Sequence, residues 1–290
     1  MTEVIDKSIF IKLQQEELNG AALYKRVAEM TKDPGEKETL QRISREEYSH
    51  VMTFEKYSGA RLKPNGAWVK FNALVARVLG YTFVIKILER GEEKGIKAYR
   101  SRIDLFPELS GILRDEEEHE QALLAILKEE RLQYVGDIVL GMNDALVELT
   151  GSLAGYTLAM QNTGIIAMAG LITGISATLS MASSGYLSSR EAGDKDAAKS
   201  AVYTGVAYLV TVALLIAPFL IFPDDRYMPA LITTLLTALG IIAGFSFYSS
   251  VVKGRPFKRN FLAMAGISLG VAAISFIIGL VVKNVLGIEI

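Results

Sequence analysis

The second half of the chain contains five long apolar stretches, and this pattern constrains the fold more than any other feature. A helix needs about 20 residues to cross a bilayer. The stretches are Ile138–Met160, Ile165–Leu187, Ala201–Phe222, Met228–Val252 and Phe261–Val282. Backbone N–H and C=O groups cannot stay unpaired in lipid, so such runs must be helices. They predict a membrane domain at residues 137–290 with five transmembrane helices, surrounded by membrane lipid.

The first half has the composition of a soluble domain. Residues 1–136 hold 22 Lys/Arg and 23 Asp/Glu, whereas residues 137–290 hold nine of each. Because there is no excess of basic residues to neutralise phosphates, we expect no nucleic-acid partner. The absence of cysteine excludes disulfides, thiol catalysis and Cys-ligated metals.

Apolar residues recur at helical spacing throughout residues 1–131, and the prolines fall between the periodic segments. The pattern predicts helices over 4–32, 36–59, 67–103 and 108–131, with Gly80 as the point at which the third divides. Four helices with short links predict an antiparallel bundle. The expected fold class is therefore all-α throughout, a four-helix bundle followed by a five-helix membrane domain.

The connecting loops predict the orientation of the membrane domain. The loop Ser188–Ser200 carries three basic residues and the loop Lys253–Asn260 carries four. The loops Gln161–Gly164 and Pro223–Tyr227 together carry one basic residue, Arg226. Basic loops face the cytoplasm, so we expect the N-terminal domain inside the cell membrane and the C-terminus outside.

The first apolar stretch contains two carboxylates, Asp144 and Glu148, which lie four residues apart and so share one helical face. A carboxylate inside a membrane is costly and by default marks a transport path. The alternative is a protonated pair that only packs helices. The predicted spans hold no Lys or Arg to pair with these acids, which favours a cation path. Met181 on the second span offers a soft thioether, although such a residue usually serves packing.

The two histidines of the chain each end the same short motif. Glu47-Tyr48-Ser49-His50 and Glu116-Glu117-Glu118-His119 both read Glu-x-x-His. On a helix each motif points one carboxylate and one imidazole to the same side. Upstream of each motif, Glu17 and Glu92 open matching Glu-x-x-Gly-x-x-x-Tyr segments, so the pattern occurs twice.

This set is typical of a carboxylate-bridged dimetal site in a bundle core. The predicted ligands are Glu17, Glu47, His50, Glu92, Glu116 and His119, with Glu89 as an extra or substitute ligand. Four carboxylates and two neutral imidazoles balance two divalent ions, and a set of O and N donors without sulfur suits iron or manganese. We therefore expect two iron or manganese ions in the bundle; a surface ion-pair face is the alternative.

With these motifs, residues 1–131 resemble the rubrerythrin-type ferritin-like domains, which implies a di-iron centre on the same six residues. Residues 137–290 resemble the vacuolar iron transporter family, through Asn143-Asp144-Ala145-Leu146 and Ser180-Met181-Ala182. In that family Gly-Glu-Tyr usually follows, whereas this chain has Ser184-Gly185-Tyr186. The fusion as a whole is similar to bacterial membrane-bound ferritin-type iron exporters, which implies a homodimer and exchange with protons.

Two functions follow as hypotheses. The leading one is export of ferrous iron, or of manganese, from the cytoplasm along a path containing Asp144, Glu148 and Met181, after capture or sensing of the ion at the dimetal site. The other is a membrane-anchored di-iron ferroxidase or peroxide-detoxifying enzyme. Five spans with paired acids are more than an anchor needs, which favours transport.

Overall fold

The computed structural model describes residues 7–99, 109–126, 134–194 and 196–286. Within these ranges every regular element is an α-helix, which confirms the all-α prediction for the described part. Contacts divide the chain into two compact units, Met1–Glu129 and Glu130–Ile290.

The first unit holds five helices among its described residues: α1 Lys7–Met30, α2 Pro34–Ser58, α3 Gly66–Leu79, α4 Tyr81–Tyr99 and α5 Leu109–Ile126. Local sequence sets the ends of α2. The Asp33 carboxylate accepts hydrogen bonds from the backbone N–H groups of Gly35 and Glu36, each at 2.9 Å, which satisfies donors that a helix start leaves unpaired. At the other end, Gly59 adopts a left-handed conformation with φ 66° and donates to the carbonyl of Glu55 at 2.8 Å.

The segment predicted as a third helix over 67–103 forms two helices in its described part, which ends at residue 99. Gly80 separates α3 from α4 and has φ 96°, a conformation that residues with a Cβ rarely adopt. The division at Gly80 is therefore present in the structure. Asn65 caps the start of α3 by accepting a hydrogen bond from the backbone N–H of Trp68 at 3.1 Å.

The core of the first unit lies between α1 and α2, and α5 packs against both of them through a shared apolar cluster that includes Phe10, Phe54 and Ile112. Tyr24 on α1 and Leu40 and Ile43 on α2 are fully buried. Burial of each large apolar side chain contributes about 1.5–3 kcal/mol, so this packing orients α1, α2 and α5 with polar residues of each facing a shared interior.

The described residues of the second unit form five helices: α6 Val135–Met160, α7 Thr163–Glu191, α8 Ala197–Ile221, α9 Tyr227–Lys253 and α10 Phe257–Leu286. α6 packs against each of the other four and lies at the centre of the unit. Its residues Ala145, Leu146, Leu149 and Leu153 are fully buried in the apolar core.

Small residues allow α6 to approach its neighbours closely. A Cβ on Gly279 of α10 would lie 2.6 Å from the carbonyl oxygen of Gly155, and one on Gly141 would lie 2.4 Å from the carbonyl oxygen of Thr204. Both distances are too short for a real side chain, so glycine is required there. Close approach of this kind is a common way to pack helices in a membrane.

Four of the described helices are long and apolar enough to cross a membrane: α7, α8, α9 and the Phe257–Val281 part of α10. They correspond to the last four predicted spans. α6 has 26 residues, which is sufficient length, but Asp137, Asp144 and Glu148 reduce its apolar character. Its role as a fifth span remains a prediction.

Candidate functional site

Three helices of the first unit contribute acidic and imidazole side chains to one buried region. α2 carries Glu47 and His50, and α5 carries Glu116 and His119, each pair three residues apart on one side of its helix. α1 adds Glu17. Glu47 is 0% exposed and both histidines are 1% exposed, which is unusual for such residues unless they are paired or bound to metal.

These side chains converge closely. Glu17, Glu47, His50 and Glu116 each offer one ligand atom, and the four atoms lie within 4.8 Å of one another. His50 Nδ1 is 3.3 Å from Glu17 Oε2 and 3.2 Å from Glu116 Oε1. His119 Nδ1 is 3.2 Å from Glu47 Oε1. Both imidazoles therefore direct the same ring nitrogen, Nδ1, towards the carboxylates.

The other nitrogen of each imidazole faces an acidic residue on the opposite helix. His50 Nε2 lies 3.3 Å from Asp115 Oδ2 on α5, and His119 Nε2 lies 2.8 Å from Glu46 Oε2 on α2. Asp115 and Glu46 each directly precede the motif glutamate of their own helix. The residue before each motif thus orients the histidine of the other motif. A carboxylate behind a histidine is the usual way to fix the tautomer that binds a metal.

The electrostatics of the cluster favour positive charge at its centre. Burial opposes protonation of His50, but contacts with Glu116 and Glu17 and their negative charges outweigh it and raise the pKa of His50 to about 10. The same balance between burial and the carboxylates of Glu116 and Glu46 raises the pKa of His119. Burial alone would raise the pKa of Glu116, yet the two imidazoles lower it. A divalent cation can supply the positive charge that the protons otherwise provide.

Of the two predicted ligands on α4, Glu89 and Glu92, the structure describes the side chain of Glu89. Glu89 accepts a hydrogen bond from the hydroxyl of Tyr24, which is fully buried on α1. Burial, partly offset by that hydrogen bond, raises the pKa of Glu89 to about 7, and the charges of Glu116 and His119 also act on it. Glu89 therefore lies near the cluster. The side chain of Glu92 falls outside the described residues.

The donor set fits a transition-metal ion. Its members are carboxylate oxygens and imidazole nitrogens, which suit iron and manganese better than soft metals. Glu116 Oε1 and His119 Nδ1 are buried, and their 3.2 Å contacts with His50 Nδ1 and Glu47 Oε1 are ion pairs without the geometry of a hydrogen bond. Such atoms are costly unless something binds them, so the cluster is a candidate metal centre.

In the second unit, Asp144 and Glu148 lie one turn apart on α6, and both are half-buried. The hydroxyl of Tyr208, which is fully buried on α8, donates a hydrogen bond to Glu148 Oε2 at 2.6 Å. Among the described residues, no ion pair involves Asp144 or Glu148. Met181 is partly buried against the apolar core of this unit, a position that packing alone explains.

Sequence reasoning overlooked two of these residues. Asp115 can be found from sequence, because it directly precedes Glu116 just as Glu46 directly precedes Glu47. Tyr208 has no such signal. It stands among other aromatic and apolar residues of a predicted span, and only the packing of α8 against α6 shows that its hydroxyl meets a carboxylate.

A buried Glu/His cluster together with four apolar helices indicates a multi-pass membrane protein with a candidate metal centre. Residues 135–198, which span α6 and α7, match the model of the VIT family. This match supports a membrane domain of the vacuolar iron transporter type and suggests transport of metal ions. A search of curated proteins finds no significant match to the chain.

Proposed function

We propose that this protein exports ferrous iron, or manganese, from the cytoplasm across the cell membrane. The observation that carries the proposal is the pair of carboxylates, Asp144 and Glu148, one turn apart on α6, the central helix of its unit. That helix lies within the segment that matches the VIT family. We propose that α6 is the fifth transmembrane helix.

The proposed path needs negative charge that is not already neutralised. No basic residue lies within α6, so the two acids retain their capacity to attract a cation. Tyr208 stabilises Glu148 with a neutral O–H donor, which lowers the cost of burial without cancelling the charge. A divalent cation passing Asp144 and Glu148 would meet two carboxylates, while Met181 would add a thioether. Protonation of either carboxylate would release the ion, which supports proton exchange.

We further propose that the first unit is a ferritin-like bundle that captures or senses the ion. Two iron or manganese ions would be held by Glu17, Glu47, His50, Glu116 and His119, with Glu89 or Glu92 completing the set. When bound, the ions would neutralise the buried carboxylates. Convergence of ligand atoms from α1, α2 and α5 within the cluster supports this role. The resemblance to ferritin-type exporters implies a homodimer.

The test uses everted membrane vesicles that contain an iron-sensitive dye. Export from the cytoplasm becomes uptake into these vesicles, so the wild-type protein should quench the dye when ferrous iron is added. Asp144→Asn should abolish most of this uptake. Asp225→Asn is the control, because Asp225 is an exposed carboxylate in the loop between α8 and α9. Unchanged uptake with Asp144→Asn would contradict the proposed path.

The buried Glu/His cluster also supports the second hypothesis, a membrane-anchored di-iron ferroxidase. The same preparations distinguish the two, because ferrous oxidation consumes oxygen and moves no ion. Oxygen uptake that disappears with His50→Ala and His119→Ala, without any dye response in the wild type, would establish the enzyme. A dye response that needs Asp144 would establish the transporter.

A further inference from the structure

α3 has an exposed apolar stripe on the side opposite its buried side. Phe71, Leu74 and Val78 are 65%, 59% and 65% exposed, and their spacing of three and four residues places them on one side of the helix. Ala76 is buried on the opposite side. Three large apolar side chains exposed in one row mark an interaction surface more often than a free surface.

The segment around this stripe carries charge of one sign. From Lys56 to Leu88 the chain contains six basic residues and no Asp or Glu, although the whole chain has a net charge of −1. Lys70 and Arg77 are exposed next to the stripe. A helix with one apolar side and only basic charged residues is typical of helices that lie in the interface of an anionic bilayer.

We propose that α3 docks onto the surface of an anionic lipid bilayer, with Phe71, Leu74 and Val78 inserted among the acyl chains and Lys70 and Arg77 bound to headgroup phosphates. The four apolar helices of the same chain would hold the protein in a bilayer. A second copy is a poorer occupant, because two α3 helices would bring four positive charges together. An acidic protein would match the charges, but the membrane matches both the charges and the apolar stripe.

The chain contains no cysteine, so a single introduced thiol reports on one position. The full-length protein is reconstituted into phosphatidylcholine vesicles with or without phosphatidylglycerol and with a spin-labelled lipid as quencher. Leu74→Cys carries a polarity-sensitive fluorophore. Met52→Cys is the matched control, because Met52 is a 69% exposed apolar residue on α2. We expect the label at position 74 to be quenched at least about two-fold more than the label at 52 in anionic vesicles, with the difference reduced in neutral ones.

The charge requirement is tested separately with Lys70→Glu/Arg77→Glu, which should lower quenching at position 74 to the level at position 52. Loss of the native emission of Trp68, the single tryptophan of the chain, would show that this variant is misfolded. In that case the charge requirement is tested with the labelled Leu74→Cys protein alone, where a higher salt concentration should lower the quenching at position 74. Equal quenching at the two positions in anionic vesicles would overturn the proposal. Disulfide cross-linking of unlabelled Leu74→Cys between two chains, without lipid quenching, would also overturn it in favour of a second copy.

Discussion

The hydroxyl of Tyr208 donates a 2.6 Å hydrogen bond to Oε2 of Glu148, linking α8 to α6 inside the second unit. Tyr208 is fully buried, so its side chain has one fixed environment and the hydroxyl has a defined partner. The bond orients a carboxylate of the proposed path. Among the described hydrogen bonds, it is the one that connects α8 to the two acids of α6.

Removal of that hydroxyl should impair transport. Tyr208→Phe keeps the aromatic ring but removes a hydrogen bond to a charged group, which is worth about 1.5–3 kcal/mol. We expect metal uptake into everted vesicles to fall about ten-fold or more. Tyr203→Phe is the control on the same helix, because Tyr203 stacks on Tyr134 through its ring and phenylalanine preserves that contact. Equal rates in the two variants would show that Tyr208 serves packing alone.

The carboxylates behind the two histidines should affect metal binding without being ligands. Glu46→Gln or Asp115→Asn keeps the shape of the side chain but weakens the contact with Nε2 of the histidine on the opposite helix. We expect the affinity for Mn²⁺ to fall about 10–100-fold, measured by titration calorimetry on the purified full-length protein. The double variant should be weaker than either single one.

Glu38→Gln serves as the control for these substitutions, because Glu38 is exposed on α2, away from the cluster. A loss of affinity of the same size with Glu38→Gln would indicate a general effect of removing negative charge. Unchanged affinity with both Glu46→Gln and Asp115→Asn would contradict the orienting role of these residues.

Metal binding at the cluster should depend on pH. The pKa of His50 is raised to about 10 in the metal-free protein, so below that pH the imidazole carries a proton that a metal ion must displace. The affinity for Mn²⁺ should therefore rise with pH between 6 and 8, by up to about ten-fold per pH unit for each proton displaced. Calorimetry in buffers with different ionisation enthalpies counts the protons released. An affinity that is constant over this range would exclude protonated imidazoles at the site.

The predicted orientation can be tested with a matched pair of substitutions. Asp194→Cys lies in the basic loop between α7 and α8, and Asp225→Cys lies in the loop between α8 and α9; both residues are exposed. An impermeant thiol reagent added to intact cells should label Cys at 225 and leave Cys at 194 unlabelled until the membrane is opened. The reverse pattern would place the first unit outside the cell and reverse the direction of the proposed transport.

Much of this protein can be predicted from local features of the sequence. The apolar runs predict four of the membrane helices because satisfying the backbone inside lipid leaves almost no alternative to a helix. The recurrence of Glu-x-x-His predicts which side of each helix is functional, since the i and i+3 positions of a helix share a face. The glycine at position 80, inside an otherwise helical pattern, predicts the break that the structure shows there with φ 96°.

Other features depend on how the helices pack, which local patterns do not encode. The approach of α2 to α5 places Asp115 behind His50 and Glu46 behind His119, and the approach of α8 to α6 brings Tyr208 to Glu148. Each of these contacts joins residues at least 60 positions apart in the chain. The sequence by itself determined the residue types, the helices and the faces they present. Only the tertiary structure decided which donor meets which acceptor, because a hydrogen bond depends on ångström-scale positions set by the packing of entire helices.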